Sequence, residues 1–184
     1  ADGNDTLYGY GGDDYLYGQY AVGVNFVTHS SSYSTPCGYD TNDSFYSDDK
    51  LYGGSGNDQL CGGGGEDILD GGTGSDNSYG GVGIDTFVIR AGDGGSSITD
   101  ADTIYDFTDS ADLIGMDSLT FDQLTIAQGT GSYSSHVLVS ITSSSEYVTV
   151  IQNINVNNVT ALDFVSTSTA DQTINGTTGN DTLI

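Results

Sequence analysis

A nine-residue repeat constrains this chain more than any other feature. Between residues 53 and 88 the motif G-G-x-G-x-D-x-U-x, in which U is a large apolar residue, occurs four times in succession. Only Ser78 departs from the apolar type at position U. A fixed period of this kind indicates a solenoid built from stacked copies of one small unit. The aspartates of the series are Asp49, Asp58, Asp67, Asp76 and Asp85.

Each part of the motif has a structural role. The glycines permit a tight turn, and the x-U-x tripeptide is a minimal strand with one inward side chain. Two nonapeptides therefore make one coil, so aspartates 18 residues apart are expected to stack. This places Asp67 between Asp49 and Asp85 and pairs Asp58 with Asp76. The predicted fold is all-β, a parallel β-roll (β-solenoid) followed by a small antiparallel sheet or sandwich.

The stacked turns predict a column of calcium sites. Carboxylates together with glycine carbonyls form an all-oxygen ligand set, which suits several Ca²⁺ ions better than zinc or copper. Burying one apolar side chain per nine residues is too little to offset the entropy of ordering them, so we expect folding to require calcium. The predicted repeat ligands are Asp5, Asp14, Asp49, Gly54, Gly56, Asp58, Gly63, Gly65, Asp67, Gly72, Gly74, Asp76, Gly81, Gly83, Asp85 and Asp181.

Charge excludes two classes of partner. The chain has 26 acidic residues against two basic ones, a net charge of −24, which repels nucleic acid and anionic membrane surfaces. No apolar stretch approaches the length of a membrane-spanning helix, so we expect no membrane insertion.

The repeats resemble the RTX (repeats-in-toxin) family, whose members leave bacteria by type I secretion. The resemblance is strong over residues 1–18 and 49–88. Residues 86–94 and 102–107, with Asp112-Leu113-Ile114, look like the closing segment of serralysin C-terminal domains and of alginate epimerase R-modules. The resemblance implies a secreted, extracellular or cell-surface protein, and a calcium-binding role for Asp93, Asp102 and Asp106. Turn capping is the alternative role for these three.

Changes in composition predict five segments. Residues 1–18 are RTX repeats, 19–48 an insertion in the roll, and 49–117 the main roll with its closing segment. In 118–168 the alternation of Val137, Val139 and Ile141, and later of Val148 and Val150, predicts antiparallel strands. Thr160–Phe164 is expected to close that sheet.

Residues 169–184 begin a new repeat. Residues 179–183 repeat residues 3–7 letter for letter, as Gly-Asn-Asp-Thr-Leu. This favours one unit of a tandem array, although a shared common motif would produce the same match.

The chain is poor in catalytic groups. His29 and His136 lack a metal-binding spacing, and Cys37 and Cys61 lack an obvious base, so we predict no enzymatic activity. A disulfide between the two cysteines is a candidate link from the insertion to the roll. A set of tyrosines follows the inward residue of its nonapeptide and is expected to face outward, either as a ligand face or through simple strand preference: Tyr8, Tyr17, Tyr52 and Tyr79.

Three functional classes follow. The first is a calcium-stiffened structural or adhesive module that contacts neighbouring copies of itself. The second is a non-catalytic accessory module of a secreted enzyme, which aids export, folding or polysaccharide binding. The third is an independent ligand-binding protein or enzyme.

Overall fold

The computed structural model describes residues 6–11, 15–18, 37 and 47–167, and these residues form an all-β roll. Strands in two sheets are linked by tight turns and by single turns of 3-10 helix. No helix in the described part of the chain is long and apolar enough to cross a membrane. The strands are β1 (Thr6–Gly11), β2 (Tyr15–Tyr17), β3 (Lys50–Ser55), β4 (Gln59–Gly64), β5 (Ile68–Thr73), β6 (Asn77–Val82), β7 (Thr86–Ile89), β8 (Asp102–Ile104), β9 (Leu113–Asp117), β10 (Leu124–Gln128), β11 (Val137–Ile141), β12 (Tyr147–Ile151) and β13 (Phe164–Thr167).

The two sheets alternate along the roll, as the repeat predicts. One sheet has the order β1-β3-β5-β7-β9-β13, and all its pairings are parallel. The other has the order β10-β11-β12-β8-β6-β4-β2 and is parallel from β12 to β2. Leu51 pairs with Leu69 and Leu60 with Ser78, 18 residues apart. The prediction of a parallel β-roll is confirmed.

One apolar core runs through the molecule between the sheets. The residues at position U point into it: Leu51 and Leu60 are fully buried, and Leu69 and Phe87 are nearly so. Ser78, the one polar residue at U, is buried as well. The same core continues into the valines of β11 and β12, and a second, smaller cluster contains Cys37, Cys61 and Tyr79.

Repeats on either side of residues 19–48 stack directly on each other. Leu7 pairs with Leu51 and Leu16 with Leu60, which are 44 residues apart instead of 18. The roll therefore keeps its register across the interruption. Several predicted features lie outside the described residues: Asp5, Asp14, His29, Asp181, most of the insertion and the segment 169–184.

The C-terminal strands extend the roll. β10, β11 and β12 are antiparallel, as the alternating valines predict, but β12 also pairs in parallel with β8 of the roll. The expectation that Thr160–Phe164 closes the antiparallel sheet is wrong. The chain crosses to the other sheet, where Phe164 packs against the core and pairs with Ile114 of β9.

The tyrosines do not form one open face. Tyr8 is 39% exposed and stacks on Tyr52 with ring centroids 5.0 Å apart, on the sheet that contains β1 and β3. On the opposite sheet Tyr79 packs outside the main core, but its ring is covered and only 7% exposed. The reason is that Tyr105 stacks on it at 4.5 Å and the two cysteines pack beside it.

Candidate calcium-binding columns

The repeat aspartates form two continuous columns, one at each row of turns. In the first column the backbone N–H of Asp49 donates to Oδ1 of Asp67 at 2.8 Å. Asp67 N–H donates to Oδ1 of Asp85 at 3.0 Å, and Asp85 N–H to Oδ1 of Asp112, also at 3.0 Å. Each carboxylate thus ties its own coil to the preceding one through a single oxygen.

The second column follows the same rule. Asp58 N–H donates to Oδ1 of Asp76 at 2.7 Å, and Asp76 N–H donates to Oδ1 of Asp102 at 3.0 Å. All seven aspartates of the two columns are at most 6% exposed. Rows of carboxylates buried at this depth are costly unless a cation or further hydrogen bonds compensate them.

The second oxygen of the interior carboxylates lacks such compensation, whereas at the ends of the first column Oδ2 of Asp49 accepts the Ser47 hydroxyl at 3.2 Å and Oδ2 of Asp112 accepts the Thr108 N–H at 2.7 Å. Oδ2 of Asp67, Asp76 and Asp85 is buried and receives no hydrogen bond from any described residue. Oδ2 of Asp67 faces the α-carbon of Gly62, the first glycine of the same turn. A β-carbon at Gly62 would lie 2.7 Å from the carbonyl oxygen of Gly80 and closer still to Asp67 Oδ2. Only glycine leaves this space, which is lined by carboxylate and carbonyl oxygens.

The remaining motif glycines shape the turns. All eight that the sequence singles out have φ between 92° and 146°, a region that other residues rarely adopt. This conformation explains why the motif needs glycine at its second and fourth positions. They are Gly54, Gly56, Gly63, Gly65, Gly72, Gly74, Gly81 and Gly83.

Electrostatics in the columns disfavour carboxylate charge. Burial, the largest cause, raises the pKa of Asp67 to about 7, of Asp76 to about 6 and of Asp85 to about 8. Repulsion from the neighbouring aspartates raises these pKa values further, whereas the backbone hydrogen bonds lower them. Burial likewise raises the pKa of Asp102 and of Asp112. A bound divalent cation would reverse this balance, because it stabilises the ionised form.

The residues present fit a calcium ion. Within residues 6–11, 15–18, 37 and 47–167, no group of three or more Asp, Glu, His or Cys side chains is arranged to hold a metal. The available donors are instead a buried carboxylate oxygen and glycine-turn carbonyls from adjacent coils. Hard oxygen donors of this kind, some of them from the backbone, suit Ca²⁺.

Asp106 has a different set of contacts. Its Oδ1 accepts the N–H of Gly80 at 2.9 Å and its Oδ2 the N–H of Gly81 at 3.1 Å. Neighbouring strand β8 is only three residues long, so the side chain replaces the carbonyls that a longer strand would supply. Asp106 therefore binds two amides of β6 that β8 leaves unpaired, a contact between distant segments and not a cap of its own turn.

The carboxylate of Asp93 contacts Arg90 and lies near enough to Asp102 to raise the pKa of that column carboxyl by repulsion. Its Oδ2 accepts the backbone N–H of Arg90 at 3.0 Å, and its Oδ1 lies 3.4 Å from Nη1 of the same residue. An arginine therefore faces both oxygens of the carboxylate that was expected to bind calcium.

One column member was not among the predicted ligands. Asp112 continues the series after Asp85 at a spacing of 27 residues, and Asp102 follows Asp76 at 26, instead of 18. A signal existed, since Asp112-Leu113-Ile114 has the same D-x-U order as Asp85-Thr86-Phe87. The longer turn before each of these aspartates breaks the period that a repeat search follows.

The cysteines and the described histidine have structural partners. Cys37 and Cys61 form a disulfide with α-carbons 5.7 Å apart, which attaches the insertion to the outer side of β4. Nδ1 of His136 accepts the backbone N–H of Asn153 at 3.1 Å, and its ring packs edge-on against Tyr133.

Comparison with known families agrees with this geometry. The RTX calcium-binding nonapeptide repeat, as a family model, matches residues 1–19, 46–69, 52–87 and 166–184 in four copies. No curated protein matches the sequence. The chain thus carries RTX calcium-binding nonapeptide repeats, which the family model matches over 80 of its 184 residues.

Two solved structures align with the chain. The AlgE6R2 subunit from the Azotobacter vinelandii mannuronan C5-epimerase aligns with a TM-score of 0.51 and 20% identity, over 88% of this chain and 91% of that one. The AlgE6R3 subunit of the same epimerase aligns with a TM-score of 0.47 and 21% identity, over 99% and 87%. The AlgE6R2 comparison identifies the fold as that of an epimerase R-module.

Proposed function

We propose that this chain is a calcium-stiffened structural module of a secreted or cell-surface protein, which folds when it meets calcium after export. The observation that carries the proposal is the pair of aspartate columns. Each interior carboxylate uses one oxygen to link coils and keeps the other, buried, beside a glycine turn. Cations bound between the turns would neutralise the repelling carboxylates and connect adjacent coils.

The proposed ligands come from both columns. We retain the repeat aspartates and the turn glycines and keep Asp102. Asp112 ends the first column, and its Oδ2 already accepts the Thr108 N–H at 2.7 Å. Asp93 and Asp106 are left out because Arg90 and the Gly80–Gly81 amides engage their oxygens. Asp5, Asp14 and Asp181 remain candidates from the sequence.

A calcium titration of folding tests the proposal. Circular dichroism in chelator should show a largely unfolded chain, and millimolar Ca²⁺ should produce a strand-rich spectrum. Mg²⁺ at the same concentration is the control and should be far less effective, because it requires a smaller octahedral site. A strand spectrum that is identical in chelator, Mg²⁺ and Ca²⁺ would contradict calcium-dependent folding.

The same dependence suits export and assembly. An acidic chain that stays unfolded at low calcium can pass through an export channel, and it folds when it reaches a calcium-rich exterior. The repeat match at both ends, residues 1–19 and 166–184, supports a place in a tandem array in which copies contact each other. Analytical ultracentrifugation with and without calcium tests that contact, and a monomer at all concentrations would argue against self-association.

An accessory role in a secreted enzyme is the second candidate. The likeness to a subunit of an epimerase favours it, as does a depression of about 500 Å³ between residues 109–113 and 157–163. Titration with polysaccharides of different charge, followed by NMR, separates the two roles. Saturable shifts around the depression would favour the accessory module, and their absence would favour the structural one.

A further inference from the structure

Arg90 occupies the junction between the roll and its closing segment. It follows directly after β7, and its guanidinium faces three carboxylates from three separate segments. Nη2 contacts Oδ2 of Asp70 in β5, and Nε lies 3.1 Å from Oδ2 of Asp117 at the end of β9. Nη1 lies 3.4 Å from Oδ1 of Asp93, in the turn that follows β7.

This cluster is buried and carries an excess of negative charge. Asp70, Asp93 and Asp117 are each at most 4% exposed, and the side chain of Arg90 is 24% exposed. Buried carboxylates require a paired cation, and removing that cation is strongly destabilising. The whole chain has only two basic residues, Lys50 and Arg90, so one of its two cations is placed here.

The cluster differs from the aspartate columns in how its carboxylates are compensated. In the columns, Oδ2 of Asp67 and Asp85 receives no hydrogen bond from the described residues. In the cluster, three different nitrogens of one guanidinium face the carboxylates. Arginine stays protonated at any physiological pH, and its planar fork can serve several carboxylates at once.

We propose that Arg90 is a resident cation that takes the place of a calcium ion at this junction. It neutralises the Asp70–Asp93–Asp117 cluster at any calcium concentration, whereas the columns depend on metal. Arg90 is thus a positioning residue that holds the closing turn on the roll, and it sets how many ions the chain binds. The inference rests on calcium binding by the columns, which the wild-type protein in the same experiment reports separately.

Charge removal at position 90 tests the proposal. Arg90→Gln leaves three buried carboxylates without a cation, so the variant should bind one more calcium ion per chain than the wild type. It should also need a higher calcium concentration to fold. Lys50→Gln, the matched control, removes the same charge from β3 outside the cluster and should bind the wild-type number of ions. Isothermal titration calorimetry gives the stoichiometry, and circular dichroism gives the folding midpoint.

The outcomes are distinguishable. An unchanged stoichiometry in folded Arg90→Gln would overturn the proposal, and absence of calcium binding in the wild type would overturn the proposed function instead. Should Arg90→Gln not fold at any calcium concentration, Arg90→Lys decides, because it keeps the charge but not the fork. Folding of Arg90→Lys with the wild-type number of ions supports a resident charge, and its failure to fold overturns it.

Discussion

The roll between Lys50 and Ile89 and the antiparallel strands between Leu124 and Ile151 share one core but are stabilised differently. The roll buries one inward side chain per nine residues, together with a row of carboxylates. The antiparallel strands bury alternate residues such as Val137, Val139 and Ile141, and the one acidic residue between 124 and 151, Glu146, is not buried.

The comparison shows where metal dependence resides. In the antiparallel strands apolar burial is dense enough to supply stability in the usual way. In the roll the turns place like charges next to each other, so stability depends on what neutralises them. We therefore expect calcium to act on the two regions unequally.

Removal of calcium should have the largest effect, and hydrogen exchange measures it. In chelator the amides of β4, β5 and β6 should lose nearly all protection, because their aspartate columns repel. The amides of β11 and β12 should keep measurable protection, since their packing needs no metal. Mass spectrometry of peptides from each region, with and without calcium, measures the difference. Loss of protection in both regions at the same calcium concentration would show one cooperative unit and remove the distinction.

Removal of a single charge from the interior of a column should have the next largest effect. Asp67→Asn keeps an oxygen that can accept the Asp49 N–H but removes the charge between Asp49 and Asp85, which weakens two sites. At calcium near 100 times the dissociation constant each site contributes about 2.7 kcal/mol, so the loss approaches roughly twice that figure. Asp122→Asn, an exposed site outside the columns, is the control. Calcium titrations of folding measure both, and equal midpoints would contradict the stacking assignment.

The structure sharpens the rank order among the aspartates. From the sequence, Asp58 and Asp76 share one ion, so either should matter less than Asp67. In the structure Asp76 lies between Asp58 and Asp102, like Asp67 in its own column. Asp76→Asn should therefore raise the calcium midpoint of folding about as much as Asp67→Asn does. A midpoint for Asp76→Asn close to that of Asp122→Asn would show that Asp102 binds no shared ion.

The disulfide should have a smaller effect, confined to the roll. Replacing Cys37 and Cys61 together by serine removes a link that constrains the unfolded chain, at a typical cost of about 2–4 kcal/mol. Denaturant unfolding in saturating calcium measures this cost, with exchange in β11 and β12 as the internal control. Two free thiols in freshly isolated protein, found by mass spectrometry without reductant, would instead show that the bridge does not form.

Acidification should have the smallest effect, and only without calcium. The pKa values of Asp67, Asp76 and Asp85 are raised in the folded roll, so the stability from their protonated forms is fully present below the unfolded pKa. That stability is lost as pH rises through about 6 to 8. In chelator, lowering the pH from 8 to 5 should therefore increase the strand signal in circular dichroism. A signal that stays flat or falls would contradict the link between column charge and unfolding.

The sequence alone determined the architecture of the regular part. The nine-residue period defines turn, strand and inward residue within one local unit, so the coil of 18 residues and the stacking of Asp49, Asp67 and Asp85 follow from spacing. The glycine positions follow equally, because only glycine readily adopts the positive φ of the turns. Alternating valines likewise predicted the antiparallel strands.

Only the tertiary structure decided how the roll ends. Asp102 and Asp112 join the columns across turns of irregular length, and Asp106 caps amides 25 and 26 residues away. The Arg90 cluster adds Asp93 and Asp117, which lie outside the nine-residue repeats, to Asp70 of β5. Tyr79 is covered because Tyr105 and a distant cysteine pack on it. The structure of a repeat can be predicted from its sequence because each unit packs against a copy of itself. The end of the roll depends on contacts between unlike segments, which the spacing of residues does not encode.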